Sequence, residues 1–297
     1  MRQEAAYLAV QSICREYNVS ICRMCAIAGI ARASYYKWLN REIPEAELLN
    51  EAIAEAVMSI HKEYPDKGHR RIRDDLLRDY GFDVSDRRVL RICRVLGIKS
   101  TIKYERNSCT VNAKDPQHIS ENILKRNFRA DAPNEKWLTD VTEFKYYEGS
   151  EKRKVYLSAI LDLYDRRIVA YVIGDSNNNP LVYDTFKKAV TSYPDAHPLF
   201  HSDRGFQYTN AVFHEMLTEH GMTQSMSRVG KCIDNGPIEG FWGILKRECY
   251  YGKRFESRED IVDMIENYIY YYNNKRYQRQ LGVVTPIEKY EQYLSAA

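Results

Sequence analysis

The sequence predicts an α/β protein in which an all-α region precedes a larger domain built on a mixed sheet. Three observations support this prediction. Segments with helical periodicity and clear start and stop signals fill the first third of the chain. From Lys136 the hydrophobic period changes to two over three successive segments. Beyond them, helical and extended segments alternate.

Length and composition limit the class of protein. With 297 residues, of which 44% are hydrophobic and 29% charged, the chain can build about two packed domains and is neither disordered nor collagen-like. It contains no apolar run of about 18 residues and no signal-peptide pattern, so we expect a cytoplasmic protein. Basic residues exceed acidic ones in residues 1 to 130, which is typical of a region that binds a polyanion.

Residues 1 to 42 are predicted to form a segment that resembles a helix-turn-helix. Ser20 can cap a helix from Ile21 to Ala28, and Gly29 interrupts that helix. A second helix is expected from Arg32 to Leu39.

The seven cysteines are expected to be reduced and mostly buried. Their number is odd, and the chain is far longer than scaffolds that depend on disulfides. Cys22 and Cys25 form a Cys-x₂-Cys pair, but no second pair follows at the spacing of a zinc module. We therefore interpret these two residues as packed thiols.

Residues 43 to 104 are predicted to form a helical DNA-binding domain. An amphipathic helix from Glu45 to Lys62 is followed by helices from Gly68 to Tyr80 and, capped by Ser85, from Asp86 to Leu96. The last helix is apolar on one side and carries three arginines in a stripe on the other, namely Arg87, Arg91 and Arg94. The stripe can lie on DNA, and a merely solvated helix face is the alternative.

Residues 105 to 133 are predicted to be an interdomain linker that contains one short helix from Ser120 to Arg126. The remaining residues, 134 to 297, are predicted to form the catalytic domain and its C-terminal helices. Its elements are strands at 137–146, 155–162 and 168–173, a helix at 180–192, a strand at 198–202, a helix at 209–220, a strand at 222–225, and helices near 233–250 and 258–274. This order is that of a ribonuclease H-like domain.

Three carboxylates stand where a charged side chain needs a partner. Asp140 lies inside the first strand, where a half-buried charge is costly. Asp203 follows a short apolar strand, and ligand sites favour the carboxyl ends of strands. Glu239 falls in the first turns of an apolar helix. Each also has a plain structural interpretation: a local hydrogen bond, a turn cap and a helix-dipole contact.

If the three carboxylates meet, their charges repel. Two like charges about 4 Å apart cost about 4 kcal/mol at an effective dielectric constant near 20. A divalent cation converts this repulsion into binding, and oxygen ligands suit Mg²⁺ or Mn²⁺. Two such ions, about 3.5 to 4 Å apart, can activate an attacking oxygen and stabilise a leaving one.

The spacing and order of several motifs are specific. Between Asp203 and Glu239 lie 35 residues, and Lys246 follows seven positions after Glu239. Further motifs are Tyr35–Trp38, Pro133–Trp137, His201–Gly205, Tyr272–Arg276 and Leu281–Gly282. Together they resemble the OrfB transposases of the bacterial "IS three" insertion-sequence family, which belong to the DDE transposase and retroviral integrase superfamily. The sequence departs from the family pattern at Gly240, Trp242 and Gln278.

The resemblance implies a DNA transposase that depends on Mg²⁺ or Mn²⁺, with Asp140, Asp203 and Glu239 as catalytic metal ligands and Lys246 on a DNA phosphate. Water would attack a phosphodiester at an element end, and the freed 3′ hydroxyl would attack another, without a covalent enzyme intermediate. Implied partners are the terminal inverted repeats, target DNA, further copies of the chain, and the upstream-frame OrfA product or an OrfA–OrfB fusion. The expected location is the bacterial nucleoid.

Other interpretations remain open from the sequence. Asp162 or Asp165 could replace Asp203 as the second ligand, because both stand near a strand end. A Ser or Tyr recombinase would use a protein nucleophile and no metal. A non-catalytic DNA-binding regulator would leave the three carboxylates unexplained.

Overall fold

The computed structural model describes residues 4–42, 44–102, 118–229 and 231–296. They form two units, Met1–Ala56 and Val57–Ala297. The domain boundaries expected from the sequence at residues 42, 104 and 133 stay predictions. Among the described helices, none is long and apolar enough to cross a membrane.

The first unit contains α1 (Glu4–Tyr17), α2 (Ile21–Ile27) and α3 (Arg32–Leu39), and α4 (Glu45–Glu63) begins in it. Ser20 caps α2 as predicted, since its hydroxyl accepts a hydrogen bond from the backbone N–H of Arg23 at 3.3 Å. Gly29 has a φ of 66°, a left-handed conformation that suits glycine and separates α2 from α3. The core of this unit consists of Tyr7, Val10, Cys25, Ile30 and Tyr35.

The two neighbouring cysteines of α2 have different environments. Cys25 is buried, as expected for a packed thiol. Cys22 is exposed, so the prediction that it packs in the interior was wrong. Residues three apart on a helix are about 60° apart around its axis, and only Cys25 faces α1 and α3 closely enough to be covered.

In the second unit, α5 (His69–Asp79) and α6 (Asp86–Val95) precede the sheet. Ser85 caps α6 through a 3.3 Å hydrogen bond from the backbone N–H of Arg88, which confirms the predicted start of that helix. α6 buries its apolar side and exposes arginines on the other, as its sequence periodicity predicts, whereas α5 buries Asp74 and Asp75 beside its apolar residues.

The sheet has five strands in the order β3-β2-β1-β4-β5. Its strands are β1 (Lys136–Glu148), β2 (Glu151–Asp162), β3 (Ile168–Gly174), β4 (Leu199–Ser202) and β5 (Thr223–Met226). The first three pair antiparallel, which confirms the predicted meander. β4 is parallel to β1, and β5 is parallel to β4.

Helices cover both faces of the sheet. α7 (Asn179–Ser192) and α8 (Ala211–Glu219) pack on the face that contains Trp137 and Phe200. α9 (Gly236–Leu245) and α10 (Arg258–Asn274) pack on the opposite face, beside Leu138. This arrangement confirms the element order of a ribonuclease H-like domain.

The region predicted as one helix near 233–250 has three parts. A 3₁₀ turn at Cys232–Asn235 leads into α9, and a π-helical turn at Lys246–Tyr250 follows it. A further 3₁₀ turn at Arg279–Leu281 and the helix α11 (Pro286–Ala296) complete the chain. The sequence prediction did not include α11.

The predicted helix from Ser120 to Arg126 was wrong. The backbone N–H groups of Ile123 and Leu124 donate to the hydroxyl of Ser225 in β5, at 3.0 and 3.1 Å. Lys125 and Arg126 have φ values of 46° and 63°, which a right-handed helix excludes. Contacts with β5 therefore outweigh the helical propensity of the segment.

Candidate catalytic site

Asp140 lies in β1, and Asp203 directly follows the end of the neighbouring parallel strand β4. In the pairing of β1 with β4, Leu138 stands opposite His201, and each aspartate follows two residues later. Parallel strands rise equally per residue and lie about 4.8 Å apart. The two carboxyl groups therefore come from adjacent positions beside the carboxyl end of β4. Asp140 also shares a face of β1 with Leu138, because side chains two residues apart point the same way.

The third carboxylate comes from the helix that covers this face. Glu239 lies in the first turn of α9, and apolar side chains of that helix share a core cluster with Leu138. The charge of Asp203 acts on both Asp140 and Glu239, and the charge of Glu239 acts on Asp140. The structure therefore brings the three predicted residues together in a half-buried cluster.

Burial raises the pKa values of all three carboxyl groups, and repulsion adds to this effect at Asp140 and Glu239. For Asp140 the main cause is burial, followed by the charge of Asp203, and the charge of Glu239 adds a smaller effect. Burial raises the pKa of Asp203, and burial with the charge of Asp203 raises the pKa of Glu239. The charged groups with the largest effects are carboxylates. Among the described residues, no group of three His, Cys, Asp or Glu side chains forms a ready-made metal site.

A glycine allows the loop after β4 to approach the Asp203 carboxylate. The backbone N–H of Gly205 donates to Oδ1 of Asp203 at 2.8 Å. A Cβ atom at Gly205 would lie 3.0 Å from the same oxygen, which is closer than ordinary van der Waals contact. A larger residue at this position would therefore displace the carboxylate.

Lys246 lies where α9 ends and the π-helical turn begins. Its ammonium nitrogen is 5.1 Å from the centre of the Phe144 ring in β1, and the residue is half-buried. Phe144 follows Asp140 by four residues, which corresponds to roughly 13 Å along the strand. The DNA contact expected of Lys246 stays a prediction.

The arginine stripe of α6 faces solvent. Its three members are exposed, namely Arg87, Arg91 and Arg94, and the opposite side of the helix is buried through Val89, Ile92 and Cys93. None of the described residues forms an ion pair with these arginines. The stripe is therefore available to an external anion, and its contact with DNA stays a prediction.

The two alternative carboxylates have structural bonds. Asp162 accepts hydrogen bonds from the backbone N–H groups of Asn134 and Tyr164, at 2.6 and 2.7 Å. Asp165 is fully buried against Arg167, whose Nε lies 3.1 Å from Oδ2 of the carboxylate. These bonds occupy oxygens that a metal ligand would need, which favours Asp203 as the second residue.

Two hydrogen bonds beside the cluster were not predicted. The indole N–H of Trp242 donates to Oδ2 of Asp140 at 2.9 Å. The side-chain amide of Asn235 donates to the carbonyl oxygen of Thr139 at 3.0 Å. In the sequence, Trp242 is one apolar position of a helix and Asn235 is part of a turn, so neither residue carries a signal for these contacts.

A buried aspartate anchors the loop that leads to Glu239. The carboxylate of Asp234 accepts from Nε of Arg228 at 2.8 Å and from Nε of Arg126 at 2.6 Å. It also accepts from the side-chain amide of Asn122 at 3.0 Å. The hydrogen bond from Arg228 is the main reason that the pKa of Asp234 lies well below its ordinary value. The loop is thereby tied to the segment before β1.

Three family models match this chain. An integrase core domain model matches residues 130–232, and a second integrase core domain model matches residues 239–294. Residues 48–106 match an HTH-like domain. The first integrase match contains Asp140 and Asp203, and the second begins at Glu239.

Relatives match along most of the chain. A transposase-like protein of Haemophilus influenzae is 42% identical over 212 residues, which cover 71% of this chain and 95% of that protein. The protein InsK of insertion sequence element IS150 from Escherichia coli is 37% identical, over 74% of this chain and 76% of its own. The transposase InsF for insertion sequence IS3A from Escherichia coli is 29% identical, over 92% and 94%.

Solved structures that resemble this chain include retroviral integrases. The catalytic core domain of HTLV-2 integrase, in a dimeric form with magnesium, is 19% identical and covers 55% of this chain and 99% of its own, with a TM-score of 0.41. An intasome of simian T-cell lymphotropic virus is 14% identical over 80% of this chain and 74% of its own, with a TM-score of 0.46. The integrase core models and the insertion-sequence relatives together show that the chain belongs to the IS3 family of insertion-sequence transposases.

Proposed function

We propose that this chain cleaves and joins DNA as a DDE-type transposase, with Asp140, Asp203 and Glu239 as its catalytic residues. One observation supports this proposal above the others: Asp140 of β1 and Asp203, directly after β4, each follow by two residues the paired residues Leu138 and His201, and Glu239 comes from α9, which covers the same face. Burial raises the pKa of all three carboxyl groups, and the charge of Asp203 adds to this effect at Asp140 and Glu239, so that a bound cation would relieve both costs.

The chemistry of this donor set suits a divalent cation. All three side chains supply hard oxygen ligands, and the charged groups that act on Asp140 and Glu239 are also carboxylates. We propose that they hold Mg²⁺ or Mn²⁺, in two positions. When bound, such ions supply positive charge that activates an attacking oxygen and stabilises a leaving oxygen.

The reaction proposed for this site is phosphoryl transfer. A water oxygen attacks the phosphorus at an element end, the bond from phosphorus to the 3′ oxygen breaks, and the 3′ oxygen takes up a proton. The freed 3′ hydroxyl then attacks the phosphorus of a target phosphodiester and loses its proton. The bond from that phosphorus to the 3′ oxygen of the target strand breaks, and the displaced 3′ oxygen takes up a proton, so that the element end is joined to the target. The protein orients the reacting groups and forms no covalent bond with DNA.

A tyrosine nucleophile fits this site poorly. Tyr208 is the tyrosine whose hydroxyl is influenced by the charges of Asp140 and Asp203, and it is almost fully buried. Burial, then those two charges, raise the pKa of Tyr208 well above its ordinary value. A tyrosine kept protonated and away from solvent cannot serve readily as an attacking oxyanion.

DNA is the proposed macromolecular ligand, bound through the exposed arginines of α6 and through Lys246. Exposed guanidinium groups in a row suit phosphate oxygens of a duplex. We further propose that the chain acts on terminal inverted repeats and target DNA as an oligomer. In this proposal, the OrfA product or an OrfA–OrfB fusion supplies selectivity for element ends.

A strand-transfer assay with linear DNA that carries element ends tests the proposal. Asp140→Asn, Asp203→Asn and Glu239→Gln should each abolish Mg²⁺-dependent cleavage and joining. Glu143→Gln is a matched control, because Glu143 lies on the same strand but pairs with Lys154 at 2.9 Å. Substantial Mg²⁺-dependent joining by any of the three variants would remove that residue from the proposed site.

A further inference from the structure

Two hydrogen bonds tie α9 to β1. Asn235, immediately before α9, donates its side-chain amide to the carbonyl oxygen of Thr139 at 3.0 Å. Trp242, within α9, donates its indole N–H to Oδ2 of Asp140 at 2.9 Å. Thr139 and Asp140 are consecutive residues of β1, so the two bonds reach neighbouring positions of one strand.

The two donors flank Glu239, with Asn235 directly before the first residue of α9 and Trp242 within that helix. Glu239 follows Asn235 by four residues and precedes Trp242 by three. Residues spaced three and four apart lie above one another on an α-helix. The donors are therefore about 10 Å apart along the helix axis, with Glu239 between them.

Asn235 does not cap α9, and packing holds Trp242 in place. Residues at the start of a helix ordinarily accept a hydrogen bond from its first N–H groups, but Asn235 makes no such side-chain bond to α9. Its Oδ1 atom is buried without a hydrogen-bond partner among the residues described. Trp242 is nearly buried in the core cluster between α9, α10 and the sheet, so packing holds its indole ring.

We propose that Asn235 and Trp242 are positioning residues that hold Glu239 at a set distance from Asp140. The bond from Asn235 fixes the start of α9 against β1, and the bond from Trp242 fixes both the helix and the orientation of the Asp140 carboxylate. This inference rests on the proposed function, because the distance matters when both carboxylates bind the same cations. Groups that orient metal ligands typically change metal affinity or activity by about 10 to 100-fold.

The test compares two tryptophans in the full chain. Trp242→Phe removes the N–H donor and keeps an aromatic ring. Trp137→Phe is the matched control, because Trp137 is also buried in the sheet region and donates to a carboxylate, that of Asp162, at 3.2 Å. Without metal, both variants should lose a similar amount of thermal stability. Only Trp242→Phe should raise, by about tenfold or more, the Mg²⁺ concentration that gives half of the Mg²⁺-induced rise in Tm.

Strand transfer by Trp242→Phe should also fall at low Mg²⁺ and recover in part at high Mg²⁺, whereas Trp137→Phe should follow the unmodified chain. A merely structural role for Trp242 would lower Tm without moving the Mg²⁺ midpoint. An unchanged midpoint in folded Trp242→Phe protein would overturn the inference.

Asn235→Leu tests the second bond, since leucine has similar size and lacks the amide. This variant also tests the inference if Trp242→Phe does not fold, because a Mg²⁺ midpoint in Asn235→Leu equal to that of the unmodified chain would likewise overturn the inference.

Asp140→Asn distinguishes a failure of the proposed function from a failure of the positioning role. If Asp140→Asn keeps the Mg²⁺ response and strand transfer, the proposed function fails. If it loses both while the two donor variants behave like the unmodified chain, only the positioning role fails.

Discussion

Nη1 of Arg71 in α5 lies 2.9 Å from Oε1 of Glu248 in the π-helical turn that follows α9. The same carboxylate accepts from Nη2 of Arg276 at 2.8 Å and from the hydroxyl of Tyr268 at 2.7 Å. Only 6% of the Glu248 side chain and 19% of the Arg71 side chain are exposed. A nearly buried cluster of charges therefore joins α5 to the turn after the helix that carries Glu239.

A second set of ion pairs reinforces this connection. Nε of Arg279 lies 2.9 Å from Oδ1 of Asp74 in α5, and its Nη2 lies 2.7 Å from Oδ1 of Asp86 at the start of α6. A fragment that ends near residue 130 would lack Arg279 and Glu248. DNA binding by the α6 arginines is therefore best measured on the full chain.

Glu248→Gln should lower the free energy of unfolding by about 3 kcal/mol, because removing one partner of a buried ion pair leaves the other charge uncompensated. Urea unfolding of the full chain at neutral pH measures this. Glu151→Gln is the control: Glu151 pairs with Arg153 at 2.6 Å, but these side chains are 67% and 53% exposed. The control should change the free energy by less than about 1 kcal/mol. Equal effects of the two substitutions would contradict a stabilising role for the Glu248 cluster.

The contribution of Glu248 should depend on pH. Burial raises the pKa of Glu248, but the charge and hydrogen bonds of Arg276 and the charge of Arg71 outweigh burial and hold that pKa below its ordinary value. A carboxylate with a lowered pKa stabilises the folded state above its unfolded-state pKa of about 4.3, and this contribution is lost as pH falls through the folded-state value. The difference in unfolding free energy between the unmodified chain and Glu248→Gln should therefore shrink below about pH 4.3. A difference that grows on acidification would oppose this explanation.

Asp140→Asn should raise Tm in the absence of divalent cations, because it replaces a carboxyl group whose charged form is disfavoured by burial and by the charge of Asp203, as its raised pKa shows. A gain of about 1 kcal/mol corresponds to a rise of about 2 to 4 °C for a unit of this size. The same substitution should abolish the further rise that Mg²⁺ produces in the unmodified chain. Differential scanning calorimetry with and without Mg²⁺ measures both effects, and a lowered Tm without metal would show that burial and repulsion of the Asp140 charge do not destabilise the metal-free chain.

Replacement of the α6 arginines should weaken DNA binding and its dependence on salt. If all three contact phosphates, the slope of log affinity against log salt should become shallower by up to about 3 units when Arg87, Arg91 and Arg94 are changed together to Ala. A control that removes three exposed but scattered basic residues should have a smaller effect, with substitutions at Arg153, Lys187 and Arg254. Equal slopes for the two triple variants would show that the arginine stripe is a solvated helix face that does not contact DNA.

Lys246→Ala should weaken binding to DNA and reduce the salt slope by about 1 unit if the ammonium group contacts a phosphate. Because this group lies over the Phe144 ring, a loss of about 0.5 to 1 kcal/mol in stability should accompany the change. Lys188→Ala is the matched control, since Nζ of Lys188 lies 4.8 Å from the centre of the Tyr171 ring. An effect on stability alone, equal to that of the control, would make Lys246 a packing residue.

Much of the fold could be predicted because its signals are local. Ser20 and Ser85 cap their helices as expected, since a cap depends on a residue and the N–H group three positions on. The change of hydrophobic period at Lys136 marks β1 for the same reason. Asp140, Asp203 and Glu239 could be nominated because a charge inside a strand, at a strand end and on an apolar helix is conspicuous in the sequence.

The sequence by itself thus determined the order of the five strands and of the helices between them, and the three carboxylates that the fold brings together. Tertiary structure alone decided which distant side chains bond: Trp242 with Asp140, Asn235 with Thr139, and Arg71 with Glu248. It also turned the predicted helix near Ser120 into an irregular segment on β5. The physical reason is that local periodicity specifies which face of an element is buried, whereas a hydrogen bond requires two atoms within about 3 Å. That distance depends on how the elements pack, which no local window of the sequence contains.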